Sequence, residues 1–381
     1  MDRPTVAVTM GDPAGIGPEV IVAAYPDLLT DAQPVVVGDA DVLRHAVDIV
    51  ECGLDVVAVE QVADITDAAD AASGPGTDSE TDADAGTLPV LDLDNVDADD
   101  LAYGEVRKEY GEASLAYVER AIELATAGEV DAIATAPINK QATRLAGSTH
   151  AGHTGMLADY TDTETYAMML VEDDLRVTHV STHVPLVEAC ERVTRRAVRD
   201  TIDVTVEGLR DLGVDDPTVA VAGLNPHASD GGLLGTTEQS EIRPAVEDAR
   251  EAGHDVFGPD SPDTVFARAA GGAADCVVAM YHDQGHIPIK MLGFASDDAV
   301  SGVNVTIGLP IVRTSVDHGT AFDIAGEGKA SPASLVDAVA LAARIARNRA
   351  DREGDDGLTA EEDTDQGPES DPAAGSSGVE R

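Results

Sequence analysis

Short runs rich in Val and Ala alternate along this chain with longer stretches whose apolar residues recur every three or four positions. TVAVTM, PVVVG, VDAIATAP, VTHVSTH, TVAVAGLNPH and CVVAMYH are apolar through most of their length and stop at turn residues, the pattern of parallel strands buried on both faces. Between them, Leu115, Val118, Ile122 and Ala125 line one face of a helix predicted over about 109–127 and ended by Gly128. Val198, Ile202, Val206 and Leu209 do the same over 197–212, and Leu335, Val339 and Ile345 over 332–348. GDPAGIGPEV sets Pro18 near the first position of another helix, with Glu19 at its positive end. Strand and helix alternate throughout, which predicts an α/β fold with a mostly parallel sheet covered on both faces.

At 381 residues the chain exceeds the usual size of one core, and two lobes or one large α/β unit are expected. Residues 67–100 contain DAADAASGPGTDSETDADAG, an aperiodic acidic stretch expected as a solvated insertion, and 351–381 is expected as a disordered acidic tail.

Charge narrows the partners. With 24 basic against 72 acidic residues the net charge is −48, which disfavours nucleic acid and anionic membranes and suits a high-salt cytoplasm. No run approaches the ~18 apolar residues of a membrane span, and the N-terminus passes at once into a strand pattern, so a cytoplasmic protein is expected. Cys52, Cys190 and Cys276 are odd in number and far apart, offering neither a disulfide framework nor a thiolate cage. In a chain with only four lysines, Lys108, Lys140, Lys290 and Lys329, each calls for a reason.

Three of the apolar runs stop at a histidine: His183, His227 and His282. Ligands of open α/β sheets collect beyond the carboxyl ends of the strands, so the three imidazoles are expected to converge as an open, catalytic metal site. Nitrogen donors favour zinc foremost, with cobalt, magnesium or manganese as alternatives. His179, within its strand, and His254, at a helix end, read as structural. Asp283 follows His282 and would orient an imidazole or move a proton. Lys290, Asn304 and Arg313 form a candidate anion clamp of two cations and an amide. GDPAGIGPE lacks the dinucleotide glycine spacing, whereas the glycine-rich loop VDHGTAFDIAGEGKAS would let backbone approach a nucleotide closely.

TMGDPAGIGPE, TAPINK, GHTGMLA, STHVPL, GLNPHASDGG, GPDSPDTVF, YHDQGHIPIK and GVNVTIGLPIVRTSVDHGTAFDIAGEGKAS, in this order over about 4–348, resemble the NAD-dependent 4-hydroxythreonine-4-phosphate dehydrogenase (PdxA) family. The resemblance implies a fold similar to isocitrate and isopropylmalate dehydrogenases, two α/β/α lobes around a cleft, with residues 1–140 and 305–350 as the first lobe and 141–304, carrying the metal site and dimer contacts, as the second. It also implies metal ligands His183, His227 and His282, and substrate contacts His153, Thr154, Lys290, Asn304 and Arg313. NAD, a divalent metal and a homodimer whose subunits share each active site belong to the same expectation. The implied reaction is oxidation at C3 of a phosphorylated four-carbon acid followed by loss of carbon dioxide, with Asp283 or Lys140 as the base. An amine at C2 makes the substrate 4-phosphohydroxy-L-threonine, giving 3-amino-2-oxopropyl phosphate for pyridoxal phosphate synthesis. A hydroxyl makes it 4-phospho-D-threonate or 4-phospho-D-erythronate, giving dihydroxyacetone phosphate. LPVLDLDNVDADDLAYGEVRKEYGEASLAYVERAIELA and PINK lean towards the second branch. A three-histidine metal hydrolase or aldolase, and a sensor without turnover, are the readings that need no dinucleotide.

Overall fold

Twelve strands form one continuous sheet in the computed structural model, which describes residues 3–65, 86–150, 153–172, 174–293 and 302–362, less the side chains of 153, 293 and 353–362. In chain order the strands are β1 (Thr5–Thr9), β2 (Gln33–Gly38), β3 (Asp55–Val59), β4 (Thr87–Asp92), β5 (Ala132–Thr135) and β6 (Ala167–Glu172). They continue as β7 (Leu175–His179), β8 (Thr218–Ala222), β9 (Asp255–Asp260), β10 (Cys276–Ala279), β11 (Val303–Ile307) and β12 (Val312–Val316). Across the sheet the order is β3-β4-β2-β1-β5-β12-β11-β6-β7-β10-β8-β9.

Eight of the eleven neighbouring pairs are parallel, as the doubly buried Val and Ala runs lead one to expect. The antiparallel pairs are β12–β11, β11–β6 and β6–β7, where strands of residues 1–140 and 312–316 meet those of the middle of the chain. Only two residues separate β6 from β7, too few for the crossover that a parallel pair needs. Side chains such as Val6, Val8, Val35, Ile133, Val219, Val221 and Val277 are buried between helices on the two faces.

Two expectations need correction. The acidic insertion does not reach residue 100: β4 lies within 67–100 and pairs with both β2 and β3, because Leu88, Val90 and Leu91 bury there despite their acidic surroundings. Ala98–Asp100 then forms a 3-10 turn, while 66–85 lies outside the described residues. The last helix, Ala333–Glu362, takes in residues 351–362 of the expected tail. Its extension past 348 is held where Arg349 donates to Asp211 Oδ2 at 2.7 Å and Arg352 pairs with the same carboxylate. The disorder expected of 363–381 falls outside the described residues.

β7, β10 and β8 are consecutive and parallel, so the runs carrying His183, His282 and His227 leave the same edge side by side. Gln284 ties two of these exits: its Oε1 accepts from Met280 N at 2.7 Å and its Nε2 donates to Gly223 O at 2.8 Å. No helix among the described residues is long and apolar enough to cross a membrane.

Candidate active site

His282 opens the helix His282–Gly293 directly beyond β10, and His183 sits in the loop beyond β7. Their ring centroids are 5.3 Å apart. Ring nitrogens ~2.0–2.1 Å from one zinc-sized ion place two imidazole centres roughly this far apart, so the pair fits a shared cation. His282 Nδ1 donates to Asp283 Oδ1 at 2.7 Å, which fixes the tautomer and leaves Nε2 as the free donor atom. Asp283 thus lies beside the His282 imidazole.

His227 is not gathered to this pair. It begins a run of five left-handed residues, His227, Ala228, Ser229, Asp230 and Gly231, four of which carry a Cβ that disfavours this conformation. Its imidazole is 67% exposed, with Nδ1 3.7 Å from Asp263 Oδ2. The loop is held in this shape by Glu238, buried at the start of a single π-turn, which accepts from Asn225 N at 2.6 Å and Asn225 Nδ2 at 3.0 Å. No group of three His, Cys, Asp or Glu side chains among the described residues stands close enough to hold a metal ion. One chain therefore assembles two of the three expected ligands.

Two further imidazoles, both passed over as site residues in the sequence, back the pair. His286 stacks on His282 with centroids 3.6 Å apart, and its Nδ1 lies 3.2 Å from His179 Nε2 at the end of β7. Burial and then the neighbouring His286 lower the His179 pKa to about 3. Burial and then His282 lower His286 to about 4. Both rings are therefore neutral at physiological pH and keep positive charge away from a cation site. His286 was legible as the residue one helical turn beyond His282, had YHDQGH been read as a helix start.

Lys140, exposed beyond β5 in the other half of the sheet, stands near enough for its charge to act on His183. It is the first residue of the helix Lys140–Leu145, capped by Asn139, whose side chain accepts from Gln141 N at 2.9 Å and Ala142 N at 3.1 Å. His183 is exposed as a residue, yet partial desolvation, then the charge of Lys140, then His282, lower its pKa.

The anion clamp is split. Arg313 and Asn304 lie on one face of adjacent strands, since Arg313 pairs with Thr306 and Asn304 with Ser315 across β11 and β12. Arg313 is 2% exposed, donating to Thr306 Oγ1 at 3.1 Å and Thr135 Oγ1 at 2.7 Å. No carboxylate hydrogen-bonds it among the described residues, its Nε is unpartnered, and burial lowers its pKa to about 9. Asn304 Oδ1 on the same face is also buried without a partner among the described residues. Buried polar groups left incomplete in this way are what a site awaiting a ligand leaves. Lys290 instead pairs with Asp317, just beyond β12, a residue the sequence reading did not single out. Thr154 is half-buried on the helix His153–Tyr160, and the contact expected of the His153 side chain lies outside the described residues.

The glycine-rich loop after β12 is anchored to the first helix. Glu19, buried near the start of Gly17–Asp31, accepts from Gly328 N at 2.8 Å and also from Gly326 N. Thr320 O accepts from Ile16 N at 3.1 Å.

The sheet and its loops therefore define an α/β enzyme with a nitrogen-donor pair beyond β7 and β10, a lysine beyond β5 and a buried guanidinium on β12. The family described as pyridoxal phosphate biosynthetic protein PdxA matches residues 30–342. A 4-hydroxythreonine-4-phosphate dehydrogenase of Desulforapulum autotrophicum is 44% identical over 345 residues, covering 90% of this chain and 95% of that one. A D-threonate 4-phosphate dehydrogenase of Salmonella typhimurium is 44% identical over 348 residues, covering 91% of this chain and 100% of that one. Among solved structures, the 4-hydroxythreonine-4-phosphate dehydrogenase of Klebsiella pneumoniae superposes with a TM-score of 0.75 at 41% identity, covering 90% of this chain and 98% of that one. The chain belongs to the PdxA family and is a dehydrogenase. Family membership sets aside the hydrolase, aldolase and sensor readings.

Proposed function

We propose that this chain catalyses the metal-dependent, NAD-linked oxidative decarboxylation of 4-phosphohydroxy-L-threonine to 3-amino-2-oxopropyl phosphate. The observation that carries this reading is the His183–His282 pair with its centroids 5.3 Å apart, oriented by Asp283 and faced by Lys140. His183 and His282 would hold a divalent cation, and the loop anchored on Glu19 would receive the dinucleotide. When bound, the dinucleotide would supply the hydride acceptor for C3, and the cation would supply Lewis-acid stabilisation of negative charge on oxygen.

The chain's own residues do the rest. Asp283 is committed to His282 Nδ1, which leaves Lys140 as the stronger candidate to take the C3 hydroxyl proton. Arg313 and Asn304 bind anionic oxygens of the substrate from the sheet face, and Lys290, released from Asp317, closes on the phosphate from the helix above, with His153 and Thr154. Holding both ends of a four-carbon acid orients C3 towards the dinucleotide.

His227 joins the site from the partner subunit of a homodimer. Its exposure supports this, as does the apolar surface near the histidines: Leu186 and Val187 after His183, Leu233 and Leu234 after His227, and Ile287 and Met291 after His282 are all exposed.

A second reading has equal support from the relatives, for the threonate enzyme of Salmonella typhimurium is as similar as the hydroxythreonine enzyme. In it the C2 group is a hydroxyl, the substrate is 4-phospho-D-threonate or 4-phospho-D-erythronate, and the product is dihydroxyacetone phosphate. The C3 chemistry is unchanged. The deciding experiment assays C2-amino and C2-hydroxy compounds with NAD and NADP, with zinc, cobalt, manganese or magnesium, at high salt. Preferred NADH formation with the amine supports the first assignment, and with the hydroxy acids the second. No reduced dinucleotide from any of them overturns both.

A further inference from the structure

Arg313 is held on both sides by threonines. β12 lies between β5 and β11, and each flanking strand supplies one of them. Register puts Thr135, Ser315 and Asn304 in one row across β5, β12 and β11, and pairs Arg313 with Thr306 in the row two residues earlier on β12. Side chains two apart on a strand share a face, so these residues form one polar floor. The opposite face is taken by the last helix, where Thr314 Oγ1 donates to Ala338 O at 2.8 Å. Thr135, Thr306 and Ser315 are buried with Arg313, whereas Asn304 is only half-buried, and there the floor opens.

The terminal nitrogens of the guanidinium reach to opposite flanks. Nη1 donates to Thr306 Oγ1 at 3.1 Å and Nη2 to Thr135 Oγ1 at 2.7 Å. The Thr135 hydroxyl gives its own proton to Thr314 O at 3.4 Å, which leaves its lone pairs for the arginine. A planar group pinned through both terminal nitrogens cannot swing on its long side chain. Its remaining N–H groups, among them Nε without a partner among the described residues, therefore keep one direction. A carboxylate would hold the group as firmly, but would cancel the field to which an anion responds. A neutral hydroxyl accepts the hydrogen bond and leaves the positive charge in place.

We propose that Thr135 and Thr306 are positioning residues for Arg313: from either side they aim an uncompensated guanidinium at an anionic group of the substrate entering over Asn304. This rests on Arg313 belonging to the substrate clamp, and one set of variants separates the two claims. Binding of 4-phosphohydroxy-L-threonine and of 4-phospho-D-threonate is measured by titration calorimetry without dinucleotide, beside steady-state rates. Thr135→Val and Thr306→Val keep shape and burial but remove the acceptor. Each is expected to weaken binding ~10-fold and to raise the KM for the phosphorylated acid similarly, with kcat and the KM for NAD changed less than ~3-fold. Thr135→Ser and Thr306→Ser, which keep the hydroxyl, should bind within ~2-fold of the parent. In an Arg313→Met background the valine changes should lower kcat/KM less than ~2-fold, because the group being aimed is gone.

Valine variants that bind as the parent does, serine variants as weak as valine, or equal losses in the Arg313→Met background overturn the positioning role. The two flanks are read separately, so if one variant does not fold the other decides. Unchanged binding in Arg313→Met, or a parent that binds neither acid, overturns the clamp and the positioning with it. An impaired Arg313→Met beside unimpaired valine variants overturns the positioning alone.

Discussion

A carboxylate one residue from an imidazole decides which nitrogen a metal can meet. Asp283 holds the His282 proton on Nδ1, so Asp283→Ala should weaken zinc binding ~10–100-fold, measured by titration calorimetry of the apo-protein. Unchanged affinity would detach Asp283 from the ligand it touches. Arg313 is the opposite case, a charge buried without a counter-charge among the described residues, costly to the fold and useful to an anion. Arg313→Met should keep or raise the melting temperature while kcat/KM for the phosphorylated acid falls ~100-fold; a fall in stability with unchanged kcat/KM would make the arginine structural. Asp12 carries a pH signature. Burial raises its pKa from 3.8 to about 6, against the pull of two backbone N–H groups, so its favourable contribution is complete below about pH 4 and lost as pH rises through 6. Asp12→Asn should therefore exceed the parent in stability above that range by ~2–3 kcal/mol, and the gap should close towards pH 4 in urea unfolding curves.

At the scale of elements, the helix His282–Gly293 carries much of the site, and its seat depends on one small residue. A Cβ on Gly285 would lie 2.4 Å from His179 Nε2 and 2.6 Å from Val177 Cγ1. Gly285→Ala should cost ~1–3 kcal/mol of stability by overpacking and, by lifting His282, reduce zinc affinity as well. Stability lost with zinc binding intact would separate the helix seat from the metal site. This helix was legible only in part. Pro288 and two glycines obscure its periodicity, whereas the chain rising from β10 supplies the first turn and His286 stacks one turn on. The left-handed run at 227–231 was not legible, because residues with a Cβ resist that conformation and here are held to it by Glu238, remote from the turn in space until the chain folds.

For the whole molecule, the strand order supplies neighbours and leaves one ligand outside. If His227 of one subunit completes the His183–His282 pair of the other, the inactive variants His227→Ala and His282→Ala should complement when unfolded and refolded together. Random pairing into dimers makes half of them mixed, each with one intact site, and ~25% of parental activity should return. No recovery would mean that each chain closes its own site by moving the loop that bears His227.

The sequence by itself determined six of the strands, β1, β2, β5, β7, β8 and β10, that strands and helices alternate in an α/β fold, and that histidines end three of the runs, because burial on two faces is written in local runs of Val and Ala. It also carried the motif strings on which family membership rests. Tertiary structure decided that β7, β10 and β8 are neighbours, that β11 and β6 run against the parallel strands, and that LPVLD joins the sheet inside an acidic stretch. It also brought Asp12 to Pro137, the charge of Lys140 within reach of His183 and Asp317 to Lys290, while leaving His227 apart. Periodicity reports which face of an element is buried; which elements then stand together depends on packing between residues far apart in the chain, and local pattern does not encode it.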